Sequence, residues 1–452
     1  MLHNLLDTSA TIVAPATASG GAVMVIRLCG EQAIAIADRM FRGRQPLEHA
    51  EGYTLHYGSV VDGERVVDDV VVALFRAPHS YTGDDIVEIT IHGSEYIAQE
   101  VIRLAVMHGA RVAMAGEFTR RAFLAGKMDL SRAEAVADII SSDSAWSHDV
   151  ASRQMRGGYS RHLATLRDEL LRLCSLLELE LDFSEENVEF ANRAELGAII
   201  ANIGNQLESL VSSFALGNAL KNGVMVAIVG EPNVGKSTLL NTLVEDDRAM
   251  VSDIAGTTRD TVEATTVIDG VRFRFVDTAG LHSTDDRLEQ MGIERTQRAV
   301  HEAHVVLHVV SAESAELSIA PVVDTRDGQK YLRVVNKIDR VEVTPSAMGA
   351  SLAISAKQGL GIDALRTALR TAVDTTTLRR GDVLVTNMRH YDALQSALSA
   401  LRDSERALRT NLSGDLLSED LRRVLHYLGE ITGEITSDDI LHTIFSKFCI
   451  GK

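Results

Sequence analysis

The sequence predicts a multidomain protein that combines α/β domains with an all-α bundle. A strand, a glycine-rich loop and a helix follow one another across residues 224–241, which is the opening unit of a doubly wound α/β sheet. Residues 1–125 alternate short strand and helix patterns, which predicts a mixed α+β domain. Leucines spaced three and four apart recur in 126–220 and in 379–452, so we expect one helical bundle into which an α/β domain, residues 221–378, is inserted.

Composition and charge restrict the class of protein. The 452 residues suggest about three domains, and three cysteines are too few for a disulfide framework, so we expect a reducing, cytoplasmic environment. A net charge of −18 argues against indiscriminate nucleic-acid binding. No apolar run is long enough to cross a membrane, and the uncharged stretch Thr8–Ile26 lacks the basic lead-in of a signal peptide.

The N-terminal domain combines apolar runs with a few charged positions. Strands are predicted at Ile12–Val13, Ala22–Leu28, Val66–Phe75 and Ile86–Ile91, and helices at Glu31–Met40 and Tyr96–His108. Arg27, Glu88 and Lys127 lie in or just beyond such runs, and from the residues alone they are interpreted as surface positions. Two basic groups are likewise interpreted as ordinary helix surface: Arg120, Arg121, Lys127 and Arg132; and Arg153, Arg156 and Arg161.

The helical segments have regular apolar seams. One seam consists of Leu163, Leu166, Leu170, Leu173 and Leu177, and a break in this helical stretch is expected near Asp182-Phe183-Ser184. After the α/β domain the seam resumes with Leu394, Leu398, Leu401, Leu417, Leu421, Val424 and Leu428. The chain ends Phe448-Cys449-Ile450-Gly451-Lys452, where either a mobile tail with an incidental thiol or a docked tail is possible.

The α/β domain opens with a phosphate-binding loop. Gly230-Glu231-Pro232-Asn233-Val234-Gly235-Lys236-Ser237 follows the apolar strand Val224–Val229 and precedes a helical pattern, which is the context of a Walker A motif. Its backbone N–H groups and the helix N-terminus favour phosphate oxygens, Lys236 can reach the outer phosphates, and the Ser237 hydroxyl can bind Mg²⁺.

A second motif identifies the base. Asn336-Lys337-Ile338-Asp339 ends the apolar run Tyr331–Val335, and the Asp339 carboxylate can accept hydrogen bonds from the ring N–H and amine of guanine, a donor pair that adenine lacks. Ser355-Ala356-Lys357 follows Leu352–Ile354 and would complete the pocket. The sequence therefore predicts GTP as the nucleotide.

Two further segments predict the γ-phosphate and metal contacts. Asp277-Thr278-Ala279-Gly280 closes the strand Val271–Val276, and Gly256-Thr257-Thr258-Arg259-Asp260 supplies a threonine that can bind Mg²⁺ only when the γ-phosphate is present. Leu281 occupies the position where Ras-like domains have a water-orienting Gln. Catalytic help could come from Asn233 through a monovalent cation, or from Glu289, although from the residues alone Glu289 is interpreted as a solvated helix carboxylate.

These motifs and several other segments together resemble the bacterial tRNA uridine-modification GTPases usually called MnmE or TrmE. The resemblance covers nearly all of the chain and includes the Asp182-Phe183 break. Its carriers are Asp7–Arg27 with Ala14-Pro15-Ala16-Thr17, Gly116-Glu117-Phe118-Thr119-Arg120-Arg121-Ala122-Phe123, Gly230–Ser237, Ile254–Asp260, Asp277–Leu281 and Phe448–Lys452. The family's domains are a folate-binding-like dimerisation domain, a helical domain and an inserted Ras-like G domain.

The resemblance implies the following chemistry. Members form homodimers and a heterotetramer with a flavin-dependent partner, and modify the wobble uridine of certain tRNAs with an aminomethyl or carboxymethylaminomethyl group. A 5-formyltetrahydrofolate or methylene-tetrahydrofolate would contact Arg27, Glu88, Lys127 and Lys452, and Cys449 would act in the modification. GTP hydrolysis would be stimulated when two G domains meet across K⁺, with Glu289 positioning the attacking water.

The motifs and the resemblance together give the nucleotide and metal contacts. We expect Ser237 and Thr258 at Mg²⁺, and Asn233, Ser252, Ile254 and Thr257 at K⁺, although position 252 is often Thr in the family. The full set expected to contact GTP is Asn233, Val234, Gly235, Lys236, Ser237, Thr238, Ser252, Asp253, Ile254, Ala255, Gly256, Thr257, Thr258, Asp277, Thr278, Ala279, Gly280, Asn336, Lys337, Asp339, Ser355, Ala356 and Lys357.

Two other functions remain compatible with the G-domain motifs. One is a ribosome-assembly switch, although such proteins usually carry a C-terminal RNA-binding module and this chain ends in a helical pattern and a cysteine. The other is a scaffold that only reports the state of bound GTP, in which case Cys449 would be dispensable for uridine modification.

Overall fold

The structure is a computed structural model, and the residues that it describes are 9–182, 193–245, 263–277, 297–313, 329–341, 351–373, 383–410 and 414–451. The chain divides into two units, each assembled from separated stretches. Unit 1 consists of Met1–Ala137, Gln154–Leu179 and Ser418–Lys452, and unit 2 consists of Asp138–Arg153 and Glu180–Leu417.

Unit 1 is built on a sheet whose strands are β1 (Ile12–Pro15), β2 (Val23–Cys29), β3 (Phe41–Gly43), β4 (Thr54–Asp62), β5 (Arg65–Phe75), β6 (Ile86–His92) and β7 (Arg111–Val112). Their order is β3-β4-β5-β6-β2-β1-β7, and all neighbours are antiparallel except β1 and β7. Val70, Val72 and Leu74 alternate with outward-facing residues, which gives the sheet one apolar face. Helices α1 (Ala33–Met40) and α2 (Glu95–Met107) pack on that face.

Further helices are α3 (Glu117–Leu124), α4 (Leu130–Ser141), α5 (Ala145–Met155), α6 (Gly158–Asp182), α7 (Arg193–Asn222), α8 (Lys236–Glu245), α9 (Ile362–Ala372), α10 (Met388–Arg409), α11 (Gly414–Thr432) and α12 (Asp438–Phe445). In unit 1, α12 packs its Leu441, Ile444 and Phe445 side chains against Leu130 at the start of α4. Phe448, which follows α12, belongs to the same apolar cluster. The C-terminal tail therefore begins from a fixed helix.

Unit 2 contains the second sheet, formed by β8 (Val224–Val229), β9 (Glu263–Ile268), β10 (Val271–Asp277), β11 (Val305–Ser311), β12 (Lys330–Asn336) and β13 (Leu352–Ala353). The order is β13-β12-β11-β8-β10-β9, and only the β9–β10 pair is antiparallel. Helices α8 and α9 contribute Leu239 and Leu365 to one core, while Val300 and Ala303 pack with Ala227 and Val229 in a separate cluster. The central strands are thus apolar on both faces, as a parallel sheet requires.

In unit 2 the helices that flank this sheet in sequence, α7 and α10, pack along each other. The Val385 N–H donates to Ser213 Oγ over 3.0 Å. The rings of Phe214 and Tyr391 stack with their centroids 4.4 Å apart. The start of α5 meets the β9–β10 hairpin, where the Trp146 N–H donates to Gly270 O over 3.3 Å.

Most predicted elements are confirmed to within two residues at each end. The strands β3, β4, β7 and β9 were not predicted. In β4 the apolar residues Leu55 and Tyr57 face outward, whereas Val60 is buried on the opposite face, so the alternation changes phase at Gly58 and does not mark one buried face. The five leucines of the α6 seam are buried, as predicted. Helix α6 is described as far as Asp182, and Phe183 and Ser184 of the expected break lie outside the described residues.

Candidate nucleotide and folate sites

The predicted phosphate loop lies between β8 and α8, at the carboxyl edge of the sheet in unit 2. Gly230 has φ +148° and Gly235 has φ +99°. A Cβ at Gly230 would lie 2.1 Å from Val309 O, and one at Gly235 would lie 2.4 Å from Asn336 Nδ2. Only glycine fits either position, because a side chain would meet the neighbouring strand ends. The loop is consequently shaped by its neighbours as well as by its own sequence.

The side chains of the loop divide into buried and exposed groups. Lys236 is 5% exposed, and its Nζ donates to Gly230 O and Glu231 O, both over 2.7 Å, so it closes the loop on itself. Asn233, Ser237 and Thr238 are exposed, and Ser237 and Thr238 stand in the first turn of α8. A helix N-terminus offers N–H donors and the positive end of the helix dipole, which together favour an anion there.

Asn336 joins the phosphate loop to the predicted base pocket. This side chain is 2% exposed. Its Nδ2 donates to Val234 O over 2.9 Å, and its Oδ1 accepts from the Ala356 N–H over 2.9 Å. The Thr242 hydroxyl donates to Ala356 O over 2.9 Å, which ties the same loop to α8. Three motifs distant in sequence are thereby brought to one edge of the sheet.

The remaining base-pocket residues lie beside Asn336. Asp339 Oδ1 accepts from the Ser355 hydroxyl over 2.6 Å, and this hydrogen bond holds the pKa of Asp339 below its usual value. Lys337 adopts φ +66°, and Lys357 is exposed at the rim. A carboxylate fixed in this way is an acceptor in place before any ligand arrives.

Asp277 ends β10 and pairs with Ile228 near the end of β8, so its backbone lies at the same sheet edge as the phosphate loop. The remaining G-domain predictions fall outside the described residues: Ser252, Asp253, Ile254, Ala255, Gly256, Thr257, Thr258, Thr278, Ala279, Gly280 and Glu289. Within the described ranges, no group of three or more His, Cys, Asp or Glu side chains could hold a metal ion.

Unit 1 brings together two of the four predicted folate contacts. Arg27 on β2 and Glu88 on β6 are paired in register, and Arg27 Nη2 lies 2.7 Å from Glu88 Oε1. Arg27 Nη1 donates to Gly451 O over 3.1 Å, and its guanidinium carbon lies 5.5 Å from the centroid of the Phe118 ring. Both charged residues are largely covered, with 15% and 26% of their side chains exposed, so interpreting them as plain surface positions was wrong.

The C-terminal tail docks against this site. Ile450 forms a β-bridge with Ala115, and the Gly116 N–H donates to Cys449 O over 3.4 Å. Gly451 is buried with φ +101°, and a Cβ there would lie 1.9 Å from Pro15 O. Cys449 remains exposed, so the docked tail presents its thiol to solvent.

Lys127 contacts the loop that contains Pro78. Its Nζ donates to Pro78 O. From the same loop as Pro78, Tyr81 hydrogen-bonds the Thr119 hydroxyl over 3.0 Å, and burial raises its pKa. Tyr81 and Phe118 were not predicted as site residues, because only the fold places them near Arg27. Lys452 lies outside the described residues.

A buried charge cluster supports the turn to which the tail binds. Glu117 has no exposed surface, accepts from Arg111 over 2.6 and 2.8 Å, and accepts from the Met114 N–H over 2.9 Å. Burial raises the pKa of Glu117, but these hydrogen bonds outweigh it and leave the pKa below its usual value. Arg120 and Arg121 are 7% and 2% exposed, so the prediction of a helix surface was wrong for both, since α3 turns them toward Glu117.

The geometry of unit 2 defines a class of protein: a P-loop protein whose base pocket has the asparagine, lysine and aspartate arrangement of guanine-nucleotide-binding domains. Comparisons with known proteins identify the family. A model described as the GTP-binding protein TrmE N-terminus matches residues 11–127, and one described as the MnmE helical domain matches residues 130–449. The chain belongs to the MnmE (TrmE) family.

Full-length relatives agree with the family models. The chain is 48% identical over 469 residues to the tRNA modification GTPase MnmE of Christiangramia forsetii, covering 98% of this chain and 99% of the relative. It is 47% identical over 461 residues to the protein of the same name from Bacteroides fragilis, with the same coverage. A solved structure of Aquifex aeolicus Era bound to GDP and AlF4⁻ is 26% identical over 39% of this chain and 65% of that one, with a TM-score of 0.26. In the described part of the chain, no helix is long and apolar enough to cross a membrane.

Proposed function

We propose that this chain is a K⁺-dependent GTPase that, with a flavin-dependent partner, installs a carboxymethylaminomethyl or aminomethyl group at C5 of the wobble uridine of certain tRNAs. The observation that carries the proposal is the pair of hydrogen bonds by which Asn336 joins the phosphate loop to the base loop. The same chain has a C-terminal tail with a cysteine, and this tail is hydrogen-bonded to Arg27 of the Arg27–Glu88 pair. Family membership supports the choice of tRNA as substrate.

GTP would lie across the carboxyl edge of the sheet in unit 2. Its base would meet Asp339, and its phosphates would meet the loop N–H groups and the start of α8. Lys236, which now donates to two loop carbonyls, would transfer its hydrogen bonds to the β- and γ-phosphates. Ser237, an exposed residue, and Thr258 would hold Mg²⁺ through their hydroxyl oxygens, and the ion would neutralise charge on the phosphates.

A monovalent cation and Glu289 would together provide the catalytic help that a glutamine and an arginine provide in other GTPases. Leu281 cannot orient water, whereas Asn233 is exposed on the loop with φ +63°, so its amide oxygen is free to face a cation beside the phosphates. Ser252, Ile254 and Thr257 would complete the K⁺ site, and Glu289 would orient the water. The cation supplies positive charge where negative charge develops in the transition state. Two G domains would meet across this cation, which would couple hydrolysis to dimerisation.

The folate would bind in unit 1. The Arg27–Glu88 pair offers a donor and an acceptor side by side, Lys127 and Lys452 add positive charge for the acidic tail of the cofactor, and Cys449 stands exposed on the docked tail. A 5-formyl- or methylene-tetrahydrofolate would supply the one-carbon unit. We assign residues 1–125 to this domain and residues 221–378 to a G domain inserted in the helical domain, an arrangement supported by the packing of α7 on α10.

The proposed homodimer has a candidate surface on the outer face of β4 and β5. Tyr57 pairs with Val71 across these strands, and Leu55 pairs with Ala73. Leu55 and Tyr57 are 73% and 72% exposed, and an exposed apolar strip of this kind commonly marks an interface. The proposed assembly is a homodimer that joins the flavin-dependent partner in a cytoplasmic heterotetramer and receives tRNA.

Two measurements test the proposal. GTP hydrolysis is measured in K⁺ and in Na⁺ for the wild-type chain and for Asn233→Ala, and we expect fast turnover only for the wild type in K⁺. Equal rates in all four conditions would refute the cation mechanism. Mass spectrometry of tRNA nucleosides from cells that lack the chain tests the substrate, and an unmodified-uridine fraction no higher than in wild-type cells would exclude it. Full modification with Cys449→Ser would instead favour a scaffold.

A further inference from the structure

The end of β11 lies directly beside the base-recognition motif. Ser311 pairs with Asn336 in the parallel register of β11 and β12. The Ala312 N–H continues the pairing by donating to Asn336 O over 2.8 Å. The next residue, Glu313, is therefore brought alongside Lys337, the second residue of the base motif.

Glu313 forms two ion pairs from this position. Its Oε2 lies 3.0 Å from Lys337 Nζ, and its Oε1 lies 3.1 Å from Arg340 Nη1. The Ser311 hydroxyl accepts from the Glu313 N–H over 3.3 Å and lies 3.4 Å from Glu313 Oε2, which fixes the carboxylate from its own strand. Neither the motifs nor the proposed mechanism uses Glu313.

The pairing matters because of where the lysine stem must lie. Lys337 has φ +66°, a left-handed conformation, and it follows Asn336 and precedes Asp339 by two residues in the chain, with its Nζ held at Glu313. Its side chain is 23% exposed, whereas those of Glu313 and Arg340 are 39% and 54% exposed. A free lysine side chain has many rotamers, and binding a ligand against its stem costs conformational entropy. An ion pair at the ammonium restricts these rotamers beforehand, so less entropy is lost on binding.

We propose that Glu313 is a positioning residue for nucleotide binding: its carboxylate holds the Lys337 ammonium so that the aliphatic stem of Lys337 is already extended along the face where the guanine ring would lie. This inference rests on the proposed GTP site. Glu313 would not contact the phosphates. It would therefore slow dissociation of the nucleotide without changing the rate of hydrolysis. Arg340 serves as the second anchor of the carboxylate and is not required for the effect on Lys337.

The test measures binding and turnover separately. Dissociation of a fluorescent GDP analogue is followed by stopped flow for the full chain and for Glu313→Gln, Glu313→Asp and Arg340→Ala. Ion pairs at exposed positions have modest strength, so we expect Glu313→Gln to release the analogue about three to five times faster and to raise KM for GTP by a similar factor with kcat unchanged. Glu313→Asp should recover part of the loss, and the difference should shrink in about 0.5 M NaCl.

Arg340→Ala is the matched control, since it breaks the other ion pair of the same carboxylate and should leave dissociation within about twofold of wild type. Equal dissociation rates for wild type and Glu313→Gln, or an equal effect of Arg340→Ala, would overturn the inference. A parallel change in kcat would also overturn it. If the wild-type chain itself fails to bind the analogue, the proposed GTP site is wrong. If the wild-type chain and the Glu313 variants bind it equally tightly, only the positioning role of Glu313 is refuted.

Discussion

Replacing Gly451 by alanine should detach the C-terminal tail from unit 1. Gly451 has φ +101°, and an added Cβ would lie 1.9 Å from Pro15 O. Pro15 belongs to β1 and pairs with Ile26 of β2, so the backbone on that side is held by the sheet. The tail must therefore move, and Arg27 loses its hydrogen bond to Gly451 O.

The loss of tail-docking free energy in Gly451→Ala is the sum of two costs. A left-handed conformation costs an alanine about 1–2 kcal/mol. A hydrogen bond from a charged donor contributes about 1.5–3 kcal/mol, and we use the lower figure because Arg27 keeps its ion pair with Glu88 when the hydrogen bond to Gly451 O is lost. Together they amount to about 3 kcal/mol, which lowers the ratio of docked to undocked tail by about a hundredfold. The overlap with Pro15 adds to this cost.

Amide hydrogen exchange measures the docking directly, because the Gly116 N–H donates to Cys449 O. We expect Gly451→Ala to lose protection at Gly116 while the amides of α12 keep theirs, since Phe445 and Phe448 remain in their apolar cluster. Gly109→Ala is the matched control, because Gly109 has φ +110° and nothing within 4 Å of an added Cβ. The reasoning is refuted if Gly116 stays protected in Gly451→Ala, or if Gly109→Ala loses the same protection.

Three further outcomes are expected. Asn336→Ala leaves a buried backbone group of each loop unpaired, which costs about 1–3 kcal/mol per group. The affinity for GTP, measured by calorimetry, should therefore fall at least tenfold, and Asn336→Asp should have an intermediate affinity. An unchanged affinity would contradict the proposed base pocket. Trp146→Ala removes a half-buried side chain packed on the core of unit 2 and should lower the urea-unfolding free energy by about 2 kcal/mol, less than the full cost of a buried tryptophan. Burial lowers the pKa of His308 from 6.5, and the nearby Arg333 lowers it further. Below pH 6.5 the unfolded chain therefore binds more protons than the folded chain, and the free energy of unfolding should fall as the pH drops. His308→Phe should reduce this pH dependence when stability is measured by thermal unfolding.

Local chemistry explains why the phosphate loop and the base motif could be predicted. Gly235 and Lys236 are adjacent residues whose roles depend on the strand before them and the helix after them, and both patterns are visible in the sequence. The same is true of the buried leucines of α6, whose spacing places them on one helix face. Asn336, by contrast, was predicted as part of a motif, but its role as a link between Val234 and Ala356 depends on how β12 pairs with β11.

Burial of charge was the part that sequence reasoning missed. Arg120 and Arg121 belong to a short helix of mixed composition, and nothing in their spacing indicates that a fully buried carboxylate at Glu117 lies beneath them. Arg27 and Glu88 are 61 residues apart and meet only because β2 and β6 are neighbours in the sheet. The identity of a charged residue in the sequence does not show whether its side chain is solvated or is buried in an ion pair.

The sequence by itself determined the family, the nucleotide loop, the base motif and the sites of the leucine seams, because each depends on residues close together along the chain. Only the tertiary structure decided that the tail docks, since Arg27 and Gly451 are separated by 424 residues and their hydrogen bond exists only when the C-terminal segment returns to strand β2. Only it placed Glu313 beside Lys337, through the register of two parallel strands. Contacts between distant segments depend on strand order and register, which a linear pattern does not encode.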